Sequence, residues 1–145
     1  MRALPLLALL CVLVVLVQSA RADEAALLGD TDRGAIRVVI EEQLAAFQRD
    51  DDSAAFGLAS PSIQQQFQSP ANFMRMVRGG YQPVYRPRDV QFGEIEIVGD
   101  SIIQRVELIG PDGVPALAHY VMQRQPDGSW KINGCVITKL PEHSV

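Results

Sequence analysis

The stretch VQFGEIEIVGDSIIQRVELIGPDGVPALAHYVMQRQPDGSWKINGCVITKL, residues 90–140, decides the fold of this chain. Its β-branched and aromatic residues form four segments, most of them with alternating polar and apolar positions. Turn signals separate the segments at Gly99-Asp100, Gly110–Gly113 and Pro126–Gly128. Because tight turns of this kind join neighbouring antiparallel strands, we predict a four-stranded meander.

The residues before this stretch have helical periodicity. An apolar stripe runs along the first predicted helix, and Thr31 or Asp32 is expected to cap its start. Asp50–Asp52 precede a short second helix; they can form a metal cluster or a helix cap, and consecutive side chains that point in different directions favour the cap. The stripe consists of Ile36, Val39, Ile40, Gln43, Leu44 and Phe47.

Two Ser-Pro pairs, Ser60-Pro61 and Ser69-Pro70, predict the starts of two further helices, since serine caps and proline tolerates the first helical position. Gly79-Gly80 is expected to end the last of them. Helices followed by a meander predict an α+β fold with the helices packed on one face of a strongly curved antiparallel sheet. We place this single domain at residues 31–140, after a flexible leader at 23–30 and before a tail at 141–145.

The N-terminal segment predicts export. An apolar run from Ala3 to Val17 follows one arginine, and Ala20-Arg21-Ala22 supplies the small residues of a cleavage site. We therefore predict a signal peptide at residues 1–22 and a periplasmic or secreted protein. A retained membrane anchor is the alternative, but the run is shorter than the roughly 20 residues that span a bilayer.

The charge of the mature chain excludes some classes of partner, and its cysteine content excludes an internal disulfide. Loss of Arg2 and Arg21 leaves 11 basic and 17 acidic residues, a net charge of −6. This balance argues against nucleic acid and against an anionic membrane as partners. Loss of Cys11 leaves Cys135 alone, so no internal disulfide forms, and we expect Cys135 to be buried in a strand and unreactive.

A cluster of arginines and tyrosines lies between the helices and the sheet. Glycines and prolines in this segment indicate a joint in which residues 81–88 run extended. The positive charge without intervening acids suits a carboxylate or phosphate ligand, although acids such as Glu94, Glu96 or the triple aspartate can also neutralise it. Two interpretations of this segment therefore remain: a structural joint between helices and sheet, and a rim that binds an anion. The candidate ligand-binding residues are Arg75, Arg78, Tyr81, Tyr85, Arg86 and Arg88.

Three segments resemble a bacterial family named domain of unknown function 4864, and the resemblance covers residues 36–139. The segments are AAFQRDDDSAAFGLASPSIQQQF (45–67), MVRGGYQPVYRPRDV (76–90) and DGSWKINGCVI (127–137). The order of elements resembles the nuclear transport factor 2-like superfamily. That resemblance implies a cone-shaped fold with an internal pocket, often dimeric through the sheet. Isomerase-like members place a catalytic aspartate a few residues beyond the segment that LASPS resembles. This chain has IQQQF there, without a carboxylate.

We therefore expect a non-enzymatic module that binds a small apolar or anionic molecule, or an envelope protein, through the pocket and its rim. A homodimer through the sheet is a further expectation. The alternative is an isomerase, dehydratase or cyclase acting on an apolar carbonyl compound. Its base would be His119, which must then face the pocket near a tyrosine.

No metal or cofactor is predicted, because no metal, phosphate-loop or dinucleotide motif occurs in the sequence. Trp130 is expected to close one end of the core, although a ligand platform is the alternative. His143, in the tail, is expected to be solvated.

Overall fold

The computed structural model describes residues 28–140, which form five helices and one four-stranded sheet. The helices are α1 (Asp30–Gln48), α2 (Asp52–Gly57), α3 (Pro61–Phe67), α4 (Pro70–Gly80) and α5 (Gln82–Tyr85). The strands are β1 (Asp89–Val98), β2 (Ser101–Ile109), β3 (Pro115–Arg124) and β4 (Trp130–Lys139). The predicted signal peptide at 1–22, most of the leader and the tail with His143 lie outside the described residues.

The sheet is the predicted antiparallel meander, in the order β1-β2-β3-β4, and it is open. Gly99, Gly113 and Gly128 adopt positive φ values of 61°, 80° and 86° in the three connecting turns, a conformation that favours glycine. Register shifts interrupt the ladder between Phe92 and Ile95 and between Val121 and Met122. The α+β prediction is thus confirmed, with the helices on one face of the sheet.

Helix α1 buries its predicted stripe: Ile36 and Ile40 are fully buried, and Gln43 is 3% exposed. Its predicted cap is wrong. The helix begins at Asp30 behind Gly29, and no side chain caps it. Asp32 lies in the first turn and pairs instead with Arg124, 2.7 Å away, on strand β3. The Asp32 carboxylate, which the local sequence pattern predicted as the helix cap, therefore forms an ion pair with a distant strand instead.

Three predicted side-chain caps are confirmed. Asp51 accepts a hydrogen bond from the Ala54 amide (3.0 Å) at the start of α2. Ser69 accepts one from Asn72 (3.2 Å) at the start of α4. Ser60 caps α3, is fully buried and donates to the Asn133 side chain at 2.7 Å, which ties the helix to strand β4.

Helix α5 corrects the prediction of an extended segment from Tyr81 to Arg88. Residues 82–85 form one helical turn, with Pro83 near its start, where the missing amide hydrogen is not needed. Pro83 and Val84 are buried against the remainder of the fold. The turn packs α5 against α1, α4 and strand β2, so the joint is compact.

Candidate functional site

A cavity of about 470 Å³ lies between the helices and the sheet, and we call it the apolar pocket. Helices α1, α3, α4 and α5 and strands β3 and β4 supply its walls. None of the described residues that line it carries a charged side chain. They are Gln43, Phe47, Ala59, Ile63, Gln66, Phe67, Phe73, Met76, Val77, Tyr81, Val84, Tyr120, Ile132, Gly134, Cys135 and Val136.

Aromatic side chains form one wall of the apolar pocket. Phe73 is the common member, with its ring centroid 6.5 Å from that of Phe47 and 5.7 Å from that of Phe67. Edge and tilted contacts of this kind are the arrangements that aromatic rings prefer. The wall therefore favours an apolar ligand of aromatic or aliphatic character.

Tyr120, on strand β3, contributes a buried phenol to the pocket. The residue is 1% exposed, and its hydroxyl has no hydrogen-bond partner among residues 28–140. Burial raises the pKa of this phenol well above its ordinary value, so the hydroxyl is protonated and neutral. The pocket wall thus contains a hydrogen-bond donor that the described protein leaves unused.

Cys135 pairs with Tyr120 across strands β3 and β4, on the same face of the sheet. Burial raises the pKa of its thiol to about 12, although interaction with the Tyr120 hydroxyl lowers it in part. Both groups are therefore neutral at physiological pH. Gln43 is the third polar residue here, and its amide nitrogen donates to the Ala55 carbonyl at 3.2 Å, which fixes the side chain.

The predicted rim does not form one cluster. The Asp50 carboxylate forms ion pairs with Arg86 at 2.9 Å and with Arg78 at 3.4 Å, and it accepts a hydrogen bond from the Tyr85 hydroxyl. Arg78 also pairs with Asp52 at 2.9 Å. Two of the four arginines are thus neutralised by the triple aspartate, the pairing that the sequence left open.

The other rim residues lie apart from this group. Arg75 donates to Asn72 at 3.0 Å on its own helix, and Arg88 is exposed with its amide bonded to the Ile109 carbonyl at 2.7 Å. Tyr81 is half-buried, and of the six predicted rim residues it is the one that lines the apolar pocket.

The Asp50 group predicts a pH-dependent stability. The hydrogen bond from Tyr85 and the adjacent guanidinium groups lower the pKa of the Asp50 carboxyl. Its stabilising effect is therefore fully present above the ordinary carboxyl pKa of about 4, and it is lost progressively as the pH falls from there through the lower pKa of the folded protein. We expect Asp50→Asn to lower the thermal midpoint at pH 7, with the difference from wild type becoming smaller as the pH falls from 4 to 3.

Circular dichroism melts from pH 7 to pH 3 measure this effect. Asp100→Asn, in the exposed β1–β2 turn, is the matched control, because Asp100 forms no ion pair with the described residues. An Asp50→Asn midpoint that stays offset by the same amount at every pH contradicts the assignment.

His119 lies on the outer face of the sheet. On strand β3, Ala118 and Tyr120 point toward the helices, so His119 between them points away. Its neighbours across the strands are Arg105 and Val136. The alternative enzymatic prediction required His119 inside the pocket, and this geometry gives it no access there.

Trp130 is buried near the start of α1, as expected of a core plug. Its indole nitrogen lies 3.3 Å from the Asp32 carboxylate, and the Arg124 guanidinium lies 4.9 Å from its ring centroid.

Within residues 28–140 no group of three or more acidic, histidine or cysteine side chains is arranged to hold a metal ion. None of the described helices is long and apolar enough to cross a membrane.

Tyr120, Gln43 and Cys135 were not among the predicted site residues. A polar Gln43 within an otherwise apolar helical stripe was a signal that could have identified one of them. The alternation of ALAHYVM placed His119 and Tyr120 on opposite faces, but it did not say which face is internal.

The chain was compared with known proteins and protein families. A search of curated proteins and a search of solved structures each found no match. A family model described as "Domain of unknown function (DUF4864)" matches residues 29–145, which include every helix and strand described above. The chain therefore belongs to the family of this domain of unknown function.

Proposed function

We propose that this chain is a non-enzymatic module that binds a small, neutral, apolar molecule in the apolar pocket. The observation that carries the proposal is the cavity of about 470 Å³ lined by aromatic and aliphatic side chains. Sites for small molecules have volumes of roughly 300–1,000 Å³ and mostly apolar walls with a few polar groups. The cavity fits both criteria.

A neutral ligand is favoured over the anionic one that the basic segment suggested. Arg78 and Arg86 already pair with carboxylates, and neither lines the pocket. An anion in an apolar cavity without a cation would lose its hydration without compensation. Tyr81 is the rim residue that we retain as a ligand contact.

We further propose that the module acts after export, as the signal peptide predicted at residues 1–22 implies. Placement in the nuclear transport factor 2-like superfamily is also a proposal. It is supported by the order of helices and strands and by a pocket between the two layers. An envelope protein is the alternative partner if the pocket takes no small molecule.

A homodimer through the sheet is proposed as the form in which the module occurs. Val136, at the edge of the apolar pocket, is 61% exposed. On strand β2, Arg105, which pairs with Glu96 at 3.3 Å, and Glu107 lie two residues apart. Two copies facing each other across a two-fold axis could pair opposite charges around the apolar centre. Native mass spectrometry of the exported chain reports the oligomeric state and any small adduct in one spectrum.

The binding test uses N-phenyl-1-naphthylamine, a neutral probe whose fluorescence rises in apolar surroundings. We expect saturable binding to the wild-type chain. Ile63→Trp places a larger side chain in the pocket and is expected to weaken binding about tenfold or more, because a filled pocket cannot bury the probe. The Ile63 amide that Ser60 caps is unaffected by this change.

Val38→Trp is the matched control, since Val38 is 49% exposed on α1 and lies outside the pocket. It adds the same aromatic surface without filling the cavity, so binding should remain that of wild type. Absence of probe binding to the folded wild type, or equal loss in both variants, would reject the small-molecule function.

A further inference from the structure

The buried hydroxyl of Tyr120 indicates which chemical class of ligand the apolar pocket binds. This inference rests on the proposed function of the pocket. We propose that the ligand carries a neutral hydrogen-bond acceptor, a carbonyl or ether oxygen, which binds the Tyr120 hydroxyl. The remainder of the molecule is apolar and packs against the phenylalanine wall. Tyr120 is thus a residue that determines specificity.

The first observation is the unused donor. Tyr120 is 1% exposed, and within the described part of the chain its hydroxyl forms no hydrogen bond; the one polar group that interacts with it is the Cys135 thiol, a weak acceptor. Buried polar groups in folded proteins nearly always have a partner, because an unmade hydrogen bond costs free energy. Phenylalanine would fill this position without that cost. A ligand acceptor accounts for the hydroxyl.

The second observation is the absence of charge around this donor. The side chains that line the described pocket are uncharged, and both Tyr120 and the adjacent Cys135 are protonated at neutral pH. An ionised ligand would find no counter-charge here. A ketone, aldehyde, ester or ether oxygen accepts a hydrogen bond without bringing a charge.

The third observation is that the other polar groups are less suitable as the anchoring donor. Gln43 already directs its amide nitrogen to the Ala55 carbonyl. The Cys135 thiol is a weak donor. Tyr81 is half-buried at the rim, where water can satisfy its hydroxyl. Tyr120 is therefore the donor whose hydrogen bond a ligand would complete.

The test compares 1-tetralone with tetralin, two bicyclic molecules that differ by one carbonyl group. Dissociation constants are measured by calorimetry on the chain purified from an export host. In Tyr120→Phe we expect binding of 1-tetralone to weaken about three- to tenfold, the effect of one lost hydrogen bond. Binding of tetralin should be unchanged or slightly tighter.

Tyr85→Phe is the matched control, because it removes a phenol hydroxyl that lies outside the pocket, where it donates to Asp50, and it should change neither dissociation constant. The ligand-free Tyr120→Phe protein supplies an independent readout. Its thermal midpoint should be equal to or higher than that of wild type, because a buried hydroxyl without a partner is removed. A clearly lower midpoint would indicate that the hydroxyl is bonded within the protein and would overturn the inference.

The two proposals fail in distinguishable ways. If both bicyclic probes bind but Tyr120→Phe weakens them equally or not at all, the acceptor inference is wrong and the pocket function stands. If Tyr85→Phe weakens binding of 1-tetralone as much as Tyr120→Phe does, the effect does not come from the pocket hydroxyl and the acceptor inference is wrong. If neither probe binds while N-phenyl-1-naphthylamine does, the carbonyl class is wrong. If none of the three binds, the proposed function itself is rejected.

Discussion

Phe47→Ala is expected to lower the free energy of unfolding by about 3–5 kcal/mol, the usual range for deleting a buried phenylalanine ring. Phe47 is 1% exposed, and its ring packs against Phe73 of α4 and Tyr85 of α5. Its carbonyl also accepts a hydrogen bond from Arg86. The ring therefore joins α1 to α4 and α5.

Chemical denaturation of the two proteins at pH 7 measures this difference. Val38→Ala on the same helix is the matched control, with an expected change within about 0.5 kcal/mol, because Val38 is 49% exposed. A domain of this size has a total stability of roughly 5–15 kcal/mol, so the loss at Phe47 is a large part of it. If Phe47→Ala changes stability no more than Val38→Ala does, the packing at the end of α1 is not as described.

The thiol of Cys135 is expected to react with N-ethylmaleimide at pH 8 at least about tenfold more slowly in the folded protein than in the urea-unfolded chain. The thiolate is the reacting species, and burial raises the pKa of this thiol to about 12. The higher nucleophilicity of a more basic thiolate offsets part of the effect. The rate should rise with pH because the thiolate fraction rises.

Peptide mapping by mass spectrometry follows the modification at Cys135 itself. The control moves the thiol by one residue in the double variant Cys135→Ser, Val136→Cys, since position 136 is 61% exposed in the wild type. That thiol should react at a rate close to the unfolded one. Equal rates for the wild type and the double variant would show that the Cys135 thiol is not shielded in the folded protein.

Local signals in the sequence were sufficient for most elements of the fold. The meander followed from three turns in which glycine takes a positive φ, and such turns need little support from distant residues. The caps by Ser60 and Ser69 were equally local, since each serine bonds an amide three residues ahead. By contrast, Pro83 was taken as a sign of extended chain although it sits near the start of a helical turn. Proline fits both conformations, and packing against α1 and β2 selects the helical one.

The candidate site was harder to predict because it depends on which residues meet across the fold. Arg78 pairs with Asp52, 26 positions earlier, only because α4 lies against α2. Without that docking, the arginines appeared free to bind an anion. The prediction of His119 as a base required that it face the pocket, but the alternation of a strand is the same whichever of its faces is covered.

The sequence by itself determined the family, the α+β class, the meander and the caps of α2, α3 and α4, because each depends on a motif or on neighbours a few residues apart. The tertiary structure alone decided that Tyr120 faces the helices, that the triple aspartate neutralises Arg78 and Arg86, and that an apolar pocket stays open. A cavity is the space that several packed elements leave between them. Its shape and its unused donor therefore arise only when the helices and the sheet come together.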